Sequence, residues 1–262
     1  ANNQAFALGG NDTMAGGLGD DQLYGGTGND ALNGDDGDDQ LYGGSGADTL
    51  NGGIGSDYLT AEGQNTPNSS GLDTFGTINI LNGGAGNDQL QGGAGDDQLN
   101  GDADNDNLYG NDGDDTLNGG IGADTLDGGE GNDTLLGGAG DDILRAGVSY
   151  PLAQGSMTDT LNGGDGNDQL FLSGGSYSWG DKAILTGGLG ADRFVLSGAN
   201  ADNVAAGSNN FSASNYAHYS PVSAPDRIVD FNSAEGDLLR SGITNGLGEY
   251  SGNIPLVWRG AA

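Results

Sequence analysis

Aspartate recurs at every ninth residue through most of this chain, and a carboxylate at that fixed interval is the pattern in the sequence best suited to chemistry. The register runs from Gly16 to Thr60 and again from Gly83 to Arg145, with two later copies. It puts Asp21, Asp30, Asp39, Asp48, Asp57, Asp88, Asp97, Asp106, Asp115, Asp124, Asp133, Asp142, Asp168 and Asp192 at the sixth position of the unit G-G-x-G-x-D-x-L-x. Asp12 belongs to a degenerate first copy over residues 7–15, and Asp159 to an interrupted one. Carboxylates in such a row are hard oxygen ligands. Calcium suits them, because it accepts about six to eight oxygens in flexible geometry, from carboxylates and carbonyls alike; magnesium holds its waters and demands a stricter octahedron. The turn glycines can crowd a ligand with main-chain carbonyls, and Gly17, Gly19, Gly26, Gly28, Gly44, Gly46, Gly84, Gly86, Gly93 and Gly95 are expected to do so. The chain has no Cys and one His, so thiolate sites are excluded and zinc is disfavoured.

The totals agree. Among 262 residues there are 56 Gly and 38 acidic against 6 basic residues, a net charge of -32. A surface this acidic repels nucleic acid and anionic membranes, and no apolar run approaches membrane-spanning length. Without cations, such a composition favours a disordered chain. The opening Ala1-Asn2-Asn3 has no charged-then-apolar leader, and the missing initiator Met suggests a piece of something longer or a processed product.

The elements that must position these carboxylates follow from the same unit. Its last three positions read as a short strand, whose alternation turns the eighth residue inward and the seventh and ninth outward. That eighth residue is Leu in every regular copy except the last, which has Phe194. The core so formed is a single narrow stack, too thin to order the chain unaided, so metal is expected to complete the stability. Asp35, Asp102 and Asn111 replace the second Gly and Asp104 the third, read here as positions of weaker constraint.

The unit resembles the calcium-binding repeat of RTX proteins. The resemblance spans roughly residues 7 to 195. It implies an all-β fold, a right-handed parallel β-roll (β-solenoid) with two nonapeptides per coil. It also implies calcium ions between successive turns on the edges, held by the sixth-position carboxylates named above and by turn carbonyls. It further implies a protein outside the cell or on the surface of a Gram-negative bacterium, exported by a type I route and folding on meeting calcium. After Ala191-Asp192-Arg193-Phe194, the stretch Asp226-Arg227-Ile228-Val229-Asp230-Phe231 and Gly236-Asp237-Leu238-Leu239 is similar to the cap following the repeats in serralysin-type proteases. Arg240 departs from that pattern, and residues 196–262 are expected to be a shortened capping segment. Ile228, Phe231, Leu238, Leu239, Val257 and Trp258 are its expected cover.

Residues 1–195 are expected to form the roll, broken by insertions at about 61–73, 146–153 and 172–177. Each insertion is followed by a recognisable strand at Ile80, Thr160 or Ile184 and replaces one turn. The interrupted copies are the seventh, fifteenth and seventeenth, all odd, so all three insertions should leave one edge. The other edge should keep an unbroken row from Asp21 to Asp192, whereas Asn79 and Ala183 should leave sites missing or altered on the interrupted one. Tyr150, Tyr177 and Trp179, on or near the insertions, are candidates for stacking on carbohydrate or docking another protein domain; tolerated loops are the plainer reading. Along the odd strands, Asn33, Asn51, Asn82, Asn100, Asn118 and Asn162 form a column read as a hydrogen-bonded ladder, with water-ordering of the ice-binding kind as the alternative. Catalysis is not expected. There is no H-E-x-x-H, and His218 between Tyr216 and Tyr219 reads as a surface or packing residue.

Overall fold

One inward Leu per copy can be buried only if two such strands face each other, which requires two sheets closed by turns. The computed structural model has this form. It describes residues 1–62, 77–147, 158–173, 182–197, 227–228 and 238–241. Among these, 21 strands and no helix are present. Odd-numbered strands make an 11-stranded sheet and even-numbered ones a 10-stranded sheet, all pairs parallel. Gln22 pairs with Gln40 and Thr49 stands beside Ala31, so two nonapeptides complete one coil and the fold is a parallel β-roll. The stacked Leu23, Leu41, Leu59 and Leu90 face Leu32, Leu50, Leu81 and Leu99 across a buried core that, among the described residues, runs to Phe194.

Strands are longer than the expected three residues. The third, β3 (Gln22–Thr27), takes the last three positions of one copy and the first three of the next. Pairing resumes beyond the first Gly, as where Gly26 meets Gly44. That second Gly holds a positive φ, 118° at Gly44. Its replacements are not at weakly constrained positions: Asp35, Asp102 and Asn111 keep φ at 77°, 75° and 79°, and Asp104 at 76°. Among the described residues the non-glycine ones with a positive φ are all Asp or Asn, which tolerate the left-handed region better than other side chains do.

The breaks preserve register. β6 (Thr49–Ile54) pairs with β8 (Ile80–Ala85) as Leu50 on Leu81, and Leu135 pairs with Leu161 and Leu161 with Leu185. Each break falls after an odd strand, β7 (Tyr58–Glu62), β15 (Ile143–Arg145) or β17 (Gln169–Ser173), and before the next even one. All three therefore open on the same edge. The expected boundaries need correction, because the chain stays in the roll for two residues longer at the start of each break. Ala61 and Ala146 are buried in the core, Glu62 pairs with Gly44, and Leu172 and Ser173 pair with Leu196 and Ser197. These residues fill the first two positions of the interrupted copy, which the sheet ladder needs. Tyr150, Tyr177 and Trp179 lie outside the described residues.

Two outer columns are ordered by side chains. Asn82 donates to Asn51, and Asn100 to Asn82, at 2.8 and 2.9 Å, and Asn118 continues the row at 3.4 Å. On the opposite sheet Phe6, Tyr24 and Tyr42 stack at 4.6 and 4.7 Å between centroids. At the far end β20 (Arg227–Ile228) and β21 (Leu238–Ser241) add one strand to each sheet. Phe231, Val257, Trp258 and His218 lie outside the described residues, and so does most of the expected cap.

Candidate metal centres along the two edges

Each sixth-position Asp from Asp21 to Asp192 closes a turn and is buried there. Along the continuous edge the N–H of one Asp donates to Oδ1 of the next, one coil on: Asp21 to Asp39, Asp39 to Asp57, Asp88 to Asp106 and Asp106 to Asp124, at 2.7 to 2.8 Å. The row crosses every break. Asp57 donates to Asp88 at 2.7 Å, Asp142 to Asp168 at 2.9 Å and Asp168 to Asp192 at 3.0 Å.

The interrupted edge begins at half-buried Asp12, which donates to Asp30 at 2.8 Å. Asp30 then donates to Asp48, Asp97 to Asp115, Asp115 to Asp133 and Asp133 to Asp159. Asn79 takes one place in this row. Asp48 donates to its Oδ1 at 2.8 Å, and its own N–H donates to Asp97 at 2.8 Å. The row stops beyond Asp159, whose backbone partner in the next coil is Ala183.

The ladder uses only Oδ1. The second oxygen, Oδ2, is buried and has no hydrogen-bond partner in Asp21, Asp30, Asp39, Asp57, Asp88, Asp106, Asp115, Asp124, Asp133, Asp142 and Asp168. Buried acceptors left without a donor are costly, which is the condition a cation relieves. The surroundings suit a hard one. A methyl group placed at Gly34 or Gly119, the first Gly of the copy, would overlap Oδ2 of Asp39 or Asp124. At Gly28, Gly44, Gly46, Gly84, Gly86 and Gly95 it would overlap the carbonyl oxygen of the turn one coil earlier, and at Gly26 that of Ala7. At Gly34 the same methyl would also meet the carbonyl oxygen of Gly52, and at Gly119 that of Gly137, so a carbonyl of the next coil approaches the glycine that the orphaned carboxylate oxygen faces. The remaining expected glycines differ. Gly93 faces the side chain of Glu62, Gly19 that of Asn2, and Gly17 open space at the end of the roll. Among the described residues no three His, Asp or Glu side chains converge on one point, so most ligands of each site would be carbonyls.

Electrostatics point the same way. Burial, opposed by the backbone hydrogen bond and aided by neighbouring carboxylates, raises Asp115 to about 8, Asp57, Asp106, Asp133 and Asp142 to about 7, and Asp88 and Asp168 to about 6. In a metal-free roll these groups hold protons at pH values where ordinary Asp does not; a bound divalent ion inverts that preference.

A second ladder escaped the reading of the sequence. At the fifth position a side-chain oxygen accepts the N–H of the following coil: Asn11 from Asn29, Asp38 from Ser56, Asn105 from Ala123, Asp114 from Asn132 and Asn167 from Ala191, at 2.7 to 3.0 Å. Its bonds run opposite to those of the sixth position. The signal was the frequency of Asn and Asp immediately before the repeated Asp.

Among the described residues no helix is long and apolar enough to cross a membrane. A search of curated proteins found no match. The family model described as RTX calcium-binding nonapeptide repeat (4 copies) matches residues 1–32, 24–59, 73–108, 109–144 and 155–177, together more than half of the chain. With the nonapeptide register and the rows of buried carboxylates, this match establishes that the chain belongs to the RTX calcium-binding nonapeptide-repeat family.

Proposed function

We propose that this chain is a non-catalytic calcium-responsive folding module of a secreted or cell-surface protein, kept extended without metal and folded after type I export. The observation that carries the reading is the row of buried Oδ2 atoms without donors, several of them facing a first Gly that a carbonyl of the next coil also approaches, as at Gly34, Gly52, Gly101, Gly119 and Gly137. The sixth-position Asp residues and the carbonyls around Gly28, Gly44, Gly46, Gly84, Gly86 and Gly95 would hold the ions. Calcium supplies positive charge and hard coordination that neither Leu stack nor ladder provides. Because the ligands assemble only in the folded chain, binding energy becomes folding energy. Weak extracellular sites work at about 10⁻⁴–10⁻³ M, which suits a chain that must stay unfolded inside a cell. Such a module would serve as a spacer in an adhesin or as the tail of an exported hydrolase.

The test is far-UV circular dichroism with calorimetric titration of chelator-treated protein. The expected result is cooperative gain of β signal, many ions bound per chain, and little response to magnesium. A chain already folded at neutral pH without calcium overturns the reading.

One observation favours a second role: all three breaks open on one edge. That edge would present carbohydrate- or protein-binding segments. A glycan screen with the three segments shortened separates it from a spacer, which would lose nothing.

A further inference from the structure

Asn79 alone, among the sixth-position residues described from Asp12 to Asp168, is an amide. It is fully buried and sits in the ladder as an Asp would, accepting from Asp48 and donating its N–H to Asp97. Its second side-chain atom behaves oppositely. Where Asp30, Asp115 and Asp133 on the same edge present an acceptor without a donor, Asn79 presents an NH2 group, and its Nδ2 donates to Oδ1 of Asp97 at 2.9 Å. The orientation of the amide is fixed by this network. Reversing it would set an NH2 group against the N–H of Asp48 and an oxygen against a carboxylate.

We infer that Asn79 is a metal-free rung, whose amide takes the place that an ion occupies at the other rungs and so divides the calcium row of the interrupted edge in two. The inference rests on the calcium reading above and adds to it the stoichiometry of that edge. Two independent features support it. The amide removes one of the negative charges that would attract an ion, and its Nδ2 gives Oδ1 of Asp97 a second donor beside the Asn79 N–H. The same coil carries the first break, between β7 and β8.

The test counts ions by native mass spectrometry at saturating calcium on the full chain. Asn79→Asp restores the orphaned oxygen and should bind at least one more ion than the parent. Asp115→Asn, in the same row, should reproduce the Asn79 arrangement with Asp133 as acceptor, stay folded by circular dichroism, and bind at least one ion fewer. An unchanged count in either variant overturns the inference, as does collapse of Asp115→Asn, which would mean that an amide rung cannot stand without metal. If the parent chain binds no calcium, the functional reading fails first, and the two failures are told apart by that measurement.

Discussion

The N–H of Asp57 donates to Oδ1 of Asp88 at 2.7 Å, the bond that also joins Asp39 to Asp57, although 31 residues now separate the partners instead of 18. The added chain is therefore accommodated wholly on the other edge. A solenoid tolerates this because each coil touches only its neighbours, so what must be conserved is the pair of rungs and not the path between them.

The ladder bond and the metal oxygen belong to one side chain, so removing it should harm both. Asp106→Ala leaves the buried N–H of Asp88 without its acceptor, worth about 1–3 kcal/mol, and removes a carboxylate from the gaps on either side. Thermal unfolding at saturating calcium should fall by that amount or more, with fewer ions bound. An unchanged melting temperature would mean the continuous row contributes little.

Backbone conformation gives a sharper contrast. Asp102 holds φ at 75° and its carbonyl lies against Gly120. Asp102→Gly should leave stability equal or higher, whereas Asp102→Val should cost about 1–3 kcal/mol, because a β-branched residue in the left-handed region is strained. Chemical denaturation in calcium measures both, and similar behaviour of the two variants would contradict the constraint.

Each sheet gives the core a single column of side chains, so little else can relax into a void. Leu108→Ala, at a fully buried position, should destabilise the calcium-loaded roll by about 2–5 kcal/mol. Denaturant midpoints at fixed calcium give the value, and a loss below about 1 kcal/mol would show that ions alone hold this coil.

Period nine made the sheet faces legible because Leu and Asp fall at positions whose burial depends only on strand alternation and turn closure. Leu50, Asp57 and their equivalents could be placed without coordinates. Three features could not. The strand continues through Gly25 and Gly26 because neighbouring coils supply partners, a relation between residues 18 apart that a local pattern hides. The acceptor role of Asn29 and Asp114 was hidden for the same reason. Asn79 read as a missing ligand, and only its contact with Asp97 revealed a replacement for one.

Acid should act on the metal-free roll in the opposite sense from its action on the calcium-loaded one. Asp106 and Asp142 are raised from 3.8 to about 7 by burial, so between those values the fold binds protons that the unfolded chain has released. Stability then rises as pH falls through that window, and is lost as pH climbs from the ordinary carboxylate value towards neutrality. Protons neutralise the rungs and so stand in, incompletely, for ions. With calcium bound the carboxylates must be ionised, and acid competes with metal, so stability should fall as pH drops below about 7. Circular dichroism melts from about pH 4 to about pH 8, with calcium and with a chelator, should give curves of opposite slope. A metal-free chain that gains β structure as pH rises would show that the buried carboxylates are ionised in the fold and that something other than calcium or protons neutralises them.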